Sequence, residues 1–330
     1  WAGSTSNKIS IRLFLDGLDE VPDREQQRRI IELLREGLDR YPALTITVTS
    51  RPYIWGTWLN WMPRFHIAEL TGRDQRKLAA NWLEDDEQVA KFFKQLEQSP
   101  ALQKLMGTPL LATLILNLYR RTPRIPENKA SLYRAFVDLY CGGWDTAKGG
   151  FQRGQYHTEQ KLRPLAALAY RMHLSNTPEC SEQMFMQAVR ATMPRFVEKG
   201  ADFLTEVVQD GILVRAGRDL LFSHLSFQEY LAAQYLASDP TGERARRALR
   251  LFLEGEDWWK EVVEFFIISR DDPAAVSDWI SRTARATLGR GGAESADLRR
   301  RLQLLAISVE ETFPGYKPSF DLFRRWSRDD

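Results

Sequence analysis

The densest run of chemically capable side chains is Asp16-Gly17-Leu18-Asp19-Glu20, three carboxylates in five positions directly after the apolar run Ile9 to Leu15. Carboxylates gathered in this way suit metal and water chemistry. One can hold a hydrated Mg²⁺, and another can orient or deprotonate an attacking water. Asp16 takes the metal role in this reading, and Asp19 or Glu20 the catalytic one. A second cluster, Thr49-Ser50-Arg51-Pro52, places a guanidinium where it could meet a γ-phosphate, whose geometry its planar donors match. Phosphoryl transfer through an aspartyl nucleophile would instead need Asp-x-Asp, and the spacing here is Asp-x-x-Asp-Glu. Taken singly, these residues also read as strand-end turn formers and surface charge. Their order along the chain is what favours nucleotide chemistry.

Those clusters need a scaffold. Ile9 to Leu15 reads as a buried strand ended by Asp16-Gly17. Asp23 to Tyr41 carries Ile30, Ile31, Leu33, Leu34 and Leu38 at helical spacing. Leu44 to Thr49 is a second, β-branched strand, and Phe65 to Leu70 a third. Strands separated by a helix imply a parallel sheet, which binds ligands beyond the carboxyl ends of its strands. Both clusters fall there.

After residue 70 the pattern is helical. Thr71 to Asp74 opens a helix with Leu78, Trp82 and Leu83 on one face. Further helices fit 87–98, 109–121, 129–147, 158–175, 181–191 and 196–210. Ile212 to Arg215 and Leu220 to Ser223 flank a Gly-containing turn and predict a hairpin. Ser226-Phe-Gln-Glu229 reads as a capping box for a helix to Ala237. Helices followed by a hairpin suggest a winged helix. Residues 241–330 are helical again, with Trp258, Trp259, Phe265, Phe266 and Trp279 as core candidates.

Bulk properties narrow the classes. The chain has 330 residues, 43% of them hydrophobic, as in a folded chain of two or three domains. Lys and Arg number 46 against 44 Asp and Glu, so no global charge draws it to nucleic acid or an anionic membrane. Cys141 and Cys180 match no metal or disulfide spacing and read as packed thiols in a reducing, cytoplasmic setting. No apolar run reaches the roughly 20 residues that span a bilayer. Arg244 to Arg247 and Arg299 to Arg301 read as solvated basic faces. Trp55, Trp58 and Trp61 read as packing residues.

Four segments resemble a known family in its own order. LFLDGLDEVP is similar to the Walker B segment of NACHT domains, in the STAND class of signalling ATPases. TVTSRP resembles their sensor 1. Gly107-Thr108-Pro109 resembles the Gly-x-Pro motif of their first helical domain, whose proline packs near adenine. Phe222 to Ala233 is similar to their winged-helix segment, whose histidine, here His224, contacts the β-phosphate of ADP. Residues 120–144 also resemble the segment between the helical and winged-helix domains.

The resemblance spans about residues 8–240. It implies the distal part of a nucleotide-binding domain at 1–72, a helical domain at 73–150, a winged helix at 151–240 and a second helical region at 241–330. The fold class is therefore α/β plus all-α: the C-terminal part of a parallel-sheet P-loop NTPase domain, then helical domains. By implication the cofactors are ATP or ADP with Mg²⁺. The implied activity is a switch that self-oligomerises when ATP replaces ADP, in a family that commonly serves antiviral defence or signalling, with effector and sensor regions outside this chain. Asp16 would hold the metal, Asp19 and Glu20 would be catalytic, and Arg51, Pro109 and His224 would touch the nucleotide.

The chain departs from that pattern in one respect: it contains no G-x-x-x-x-G-K-[ST]. Such a loop is expected upstream of Trp1. Without its backbone N–H cradle and lysine, these 330 residues are expected to bind ATP weakly or not at all. Two rival classes remain open. One is a winged-helix regulator that reads DNA, disfavoured because Ser226 to Ala237 holds no Lys or Arg. The other is a non-catalytic helical adaptor.

Overall fold

The computed structural model describes residues 10–18, 21, 24–50, 61–83, 85–98, 100–126, 128–141, 155–216, 218–288 and 296–318. The chain is mostly helical, with one small parallel sheet and one small antiparallel sheet. It divides into two compact units: residues 1–66 with 174–178, and residues 67–173 with 179–330.

In the smaller unit, β1 (Ile11–Leu15) and β2 (Leu44–Val48) pair in parallel, Ile11 against Leu44 through Leu15 against Val48. The helix α1 (Arg24–Arg40) makes the crossover between them. Its apolar stripe buries Ile31 and Leu34. A small cluster forms from Leu18 and Ile31 with Ile30, Val48, Trp61 and Met62. The expectation of a buried first strand is wrong here. Phe14 is 70% exposed, and Ile11 and Leu13 are exposed too. Among the described residues α1 packs on β2, and β1 shows Ile11 and Leu13 on one face and Phe14 on the other to solvent. The expected third strand at Phe65 to Leu70 is also absent. That segment is irregular, Phe65 and Ile67 are exposed, and the Leu70 N–H donates to the Gly107 carbonyl at 2.8 Å. A short, partly apolar run becomes a strand only where a neighbour accepts its hydrogen bonds.

The larger unit begins with α2 (Gly72–Leu83), α3 (Asp86–Leu96), α4 (Pro100–Leu105), α5 (Pro109–Arg121) and α6 (Lys129–Tyr140). Thr71 and Asp74 cap α2 reciprocally: Thr71 Oγ1 donates to Asp74 Oδ2 at 2.5 Å, and the Asp74 N–H donates back to Thr71 Oγ1 at 3.3 Å. Asn128 and Ser131 form the same kind of box on α6. Phe92 and Tyr119 meet edge to face at 5.0 Å and join α3 to α5. The short α4 has no counterpart in the sequence reading. The helix expected over 129–147 ends at Tyr140 among the described residues, since 142–154 lie outside them.

Next come α7 (Thr158–Leu174), β3 (Glu179–Ser181), α8 (Glu182–Thr192), a 3₁₀ turn at Pro194–Lys199, α9 (Gly200–Gln209), β4 (Leu213–Ala216), β5 (Asp219–Phe222) and α10 (Leu225–Ala237). The hairpin expected at 212–223 is present as β4 and β5, with Leu213 opposite Phe222 and Ala216 opposite Asp219. The added strand β3 makes the antiparallel order β3-β5-β4. Three residues are too few to show alternation, so β3 escaped the sequence reading. The capping assignment for α10 also needs correction. His224 is the N-cap, and Ser226 and Glu229 lie buried within the helix.

The tail comprises α11 (Glu243–Leu253), a 3₁₀ turn at Asp257–Trp259, α12 (Lys260–Ile268), α13 (Pro273–Leu288) and α14 (Ala296–Thr312). Trp258, Trp259, Phe265 and Phe266 are buried and Trp279 is partly buried, all in one core with α5, α6, α7 and α10. Cys141 and Cys180 are buried and unbridged, and burial pushes the Cys180 thiol up to about 12. Among the described residues no helix is long and apolar enough to cross a membrane.

Candidate functional site

Asp16 and Thr49 follow directly on β1 and β2, so strand pairing sets them side by side. Thr49 Oγ1 donates to Asp16 Oδ1. The Gly17 N–H donates to Thr49 Oγ1 at 2.9 Å, and the Leu18 N–H to the Thr49 carbonyl at 3.0 Å. Gly17 has φ 73°, a left-handed turn that glycine takes without a Cβ penalty. The result is an exposed carboxylate whose orientation is fixed through one oxygen. Its second oxygen is available to a hydrated cation, which is the donor chemistry a Mg²⁺–nucleotide asks of this position. Thr49 was not singled out as a site residue in the sequence. Its signal was its place, first after the second strand. Asp19, Glu20 and Arg51 lie outside the described residues.

Pro109 is the first residue of α5, where its missing N–H costs nothing and its fixed φ suits the helix. It is exposed. Gly107, two residues earlier, has a packing reason to be glycine. A Cβ there would sit 2.8 Å from Glu69 Oε2 and 3.2 Å from the Lys104 carbonyl. Gly107→Ala should therefore lower stability by about 1 kcal/mol, because the Glu69 carboxylate can swing away but the carbonyl yields little. Urea denaturation would check this; an unchanged midpoint would show the loop to be looser than its geometry.

His224 closes the N-terminus of α10. Its Nδ1 accepts the Ser226 N–H at 3.1 Å and lies 2.6 Å from Ser226 Oγ. An Nδ1 that accepts a backbone N–H carries no proton, so the neutral ring holds its proton on Nε2. That tautomer is assigned from the hydrogen bonds. An Nε2–H donor at a helix N-terminus is suited to an anion such as a phosphate. His224→Ala should cost roughly 1 kcal/mol of stability through the lost cap, and His224→Asn should restore it, since Asn caps as well as any residue. Thermal melts of the two variants would decide whether the ring serves the cap at all.

Asp16 belongs to the smaller unit, and Pro109 and His224 to the larger. Within the larger unit, α6 packs against both the helix that Pro109 begins and the helix that His224 caps. No protein-family model matches the chain, and no curated protein matches it either.

Proposed function

We propose that this chain carries the metal-binding, sensor and histidine-bearing parts of a nucleotide-controlled signalling switch of the NACHT type. The observation that carries the reading is the Asp16–Thr49 pair at the carboxyl ends of two parallel strands, the place where open parallel sheets bind phosphates. The His224 cap, with its donor on Nε2, supports it. In this reading Asp16 orients a hydrated Mg²⁺, Asp19 or Glu20 positions water and Arg51 meets a phosphate, while Pro109 and His224 keep the nucleotide-contacting roles that the resemblance implies. The antiparallel sheet with α9 and α10 would form the winged helix. A bound nucleotide supplies the differential affinity that sets the balance between two arrangements.

The DNA-reading alternative has little support. α9 and α10 contain no Lys or Arg, and most of α10 is buried on all sides, which leaves it no face for a groove.

Fluorescent ADP titrated into the 330-residue chain with and without Mg²⁺ tests the proposal. The expected result is weak binding, with Kd on the order of a millimolar, because no glycine-rich loop is present to cradle the phosphates. Mg²⁺ should strengthen it, and Asp16→Ala should abolish that effect. Binding indifferent to Mg²⁺ and to Asp16 would sink the reading. Micromolar affinity would show that the missing loop is not needed.

A further inference from the structure

The Thr49 side chain makes a connection that strand pairing does not require. Its backbone already joins the two strand ends. The Thr49 N–H donates to the Leu15 carbonyl at 2.8 Å, and the Thr49 carbonyl accepts the Leu18 N–H at 3.0 Å. Those two bonds would set residue 49 beside Asp16 whatever side chain it carried. The hydroxyl adds a separate contact, to Asp16 Oδ1. A threonine hydroxyl has one proton and two lone pairs. One lone pair takes the Gly17 N–H at 2.9 Å. Gly17 presents that N–H from a left-handed turn, φ 73°, a conformation that side chains with a Cβ rarely take. With an N–H on its oxygen, the hydroxyl turns its one proton away from Gly17 and onto the carboxylate.

The consequence falls on Asp16. A carboxylate without such a partner has two equivalent oxygens and can grip a cation with both. Here Oδ1 is engaged by the hydroxyl, and Oδ2 is the oxygen left for a cation. Divalent cations respond differently to that restriction. Ca²⁺ gathers about six to eight oxygens in a flexible shell and readily takes a carboxylate through both of its oxygens. Mg²⁺ holds a tight octahedron and gives up its waters reluctantly. It needs one carboxylate oxygen, either as a ligand or as an acceptor for a bound water. A carboxylate with one oxygen tied therefore suits Mg²⁺ and penalises Ca²⁺.

We propose that Thr49 is a positioning residue that sets the choice of metal at this site: by engaging Asp16 Oδ1 it makes the site prefer hydrated Mg²⁺ to Ca²⁺. It rests on the nucleotide reading above and adds to it the residue that gives the metal site its selectivity. Thr49 acts through Asp16, with its hydroxyl proton committed to the carboxylate. If its part were structural only, its backbone would hold the strand ends together and its side chain would leave the metal preference untouched.

Fluorescent ADP titrated into the 330-residue chain in matched excess of MgCl₂ or CaCl₂ tests this. In the unmodified chain Mg²⁺ should strengthen binding about tenfold more than Ca²⁺ does, the scale of one charge-assisted hydrogen bond. Thr49→Val keeps the branched shape, frees Oδ1 and should shrink that ratio to about twofold or less. Thr49→Ser keeps a hydroxyl and should keep the ratio. Asp16→Ala should remove the metal effect altogether. Thermal melts establish that each variant is folded, and Thr49→Ala carries the same prediction if Thr49→Val does not fold. Three results overturn the inference while Asp16→Ala still removes the metal effect and the nucleotide reading stands. They are equal support by the two ions in the unmodified chain, a full Mg²⁺ preference kept by Thr49→Val, and a preference lost in Thr49→Ser as well, which would assign it to packing of the methyl group. Binding indifferent to both ions and to Asp16 overturns the nucleotide reading and the inference with it.

Discussion

Replacing Lys161 with alanine is expected to lower the unfolding free energy by about 3–5 kcal/mol, the usual cost of removing one partner from a buried ionic cluster. Lys161 is 1% exposed, and its ammonium lies 2.7 Å from both Glu206 and Asp210. Glu206 also accepts the N–H groups of Gln155 and Tyr156, at 2.8 and 3.2 Å. One lysine thus ties α7 to α9 and to the chain entering α7. Its removal leaves two carboxylates facing each other with no cation. Urea unfolding would measure the loss. The variant Lys161→Met with Glu206→Gln and Asp210→Asn should recover much of it, because the uncompensated charges are then gone. A single variant within about 1 kcal/mol of the unmodified chain would mean that water reaches the cluster.

The same cluster sets a pH window. Burial alone would lower the Lys161 pKa, but its bonds to Asp210 and Glu206 outweigh that and raise it. A raised lysine contributes stability that is fully present below its ordinary pKa and is lost as pH climbs through the raised value. For Glu206, burial is overcome by Lys161 and the two backbone N–H groups, and its pKa is lowered. That contribution is present above the ordinary glutamate value and is lost as pH falls through the lowered one. Asp210 runs the other way: burial raises it by more than Lys161 lowers it, which subtracts part of the gain. The difference between Lys161→Ala and the unmodified chain should therefore be widest between roughly pH 5 and pH 10 and shrink outside it.

Trp259→Ala should cost a similar amount, about 3–5 kcal/mol, by opening a cavity. Trp259 is 1% exposed and meets Tyr170 and His173 of α7 edge to face, at 5.9 and 5.3 Å. It therefore locks the tail helices onto the preceding ones. Trp279→Ala, at a partly buried position against Phe266, should cost less. Calorimetric melts of both variants check the order. A Trp259→Ala chain that melts in two separated steps would show that the tail folds on its own.

Apart from the short α4, helix positions were legible because they are announced locally. Pro109 opens α5, Asn128 caps α6, and the apolar period of Asp86–Leu96 repeats every three to four residues. The hairpin was legible from its turn. Burial of a strand was not, because it depends on what lies above and below. Ile11, Leu13 and Phe14 read as core and lie in solvent; among the described residues β1 pairs with β2 alone and α1 packs on β2. Phe65 to Leu70 read as a strand but pairs with none among the described residues.

The candidate site divides in the same way. By itself the sequence determined that carboxylates follow an apolar strand, that a proline starts a helix two residues after a glycine, and that a histidine sits between a hairpin and a helix. These follow from order and spacing, which the chain carries locally. Only the tertiary structure decided that Thr49 grips Asp16, that Gly107 leaves no room for a Cβ, and that His224 caps α10 through Nδ1. Each of these joins residues far apart in sequence or fixes which atom of a side chain is committed. Distance through space and the direction of a lone pair are set by packing, which no local pattern encodes.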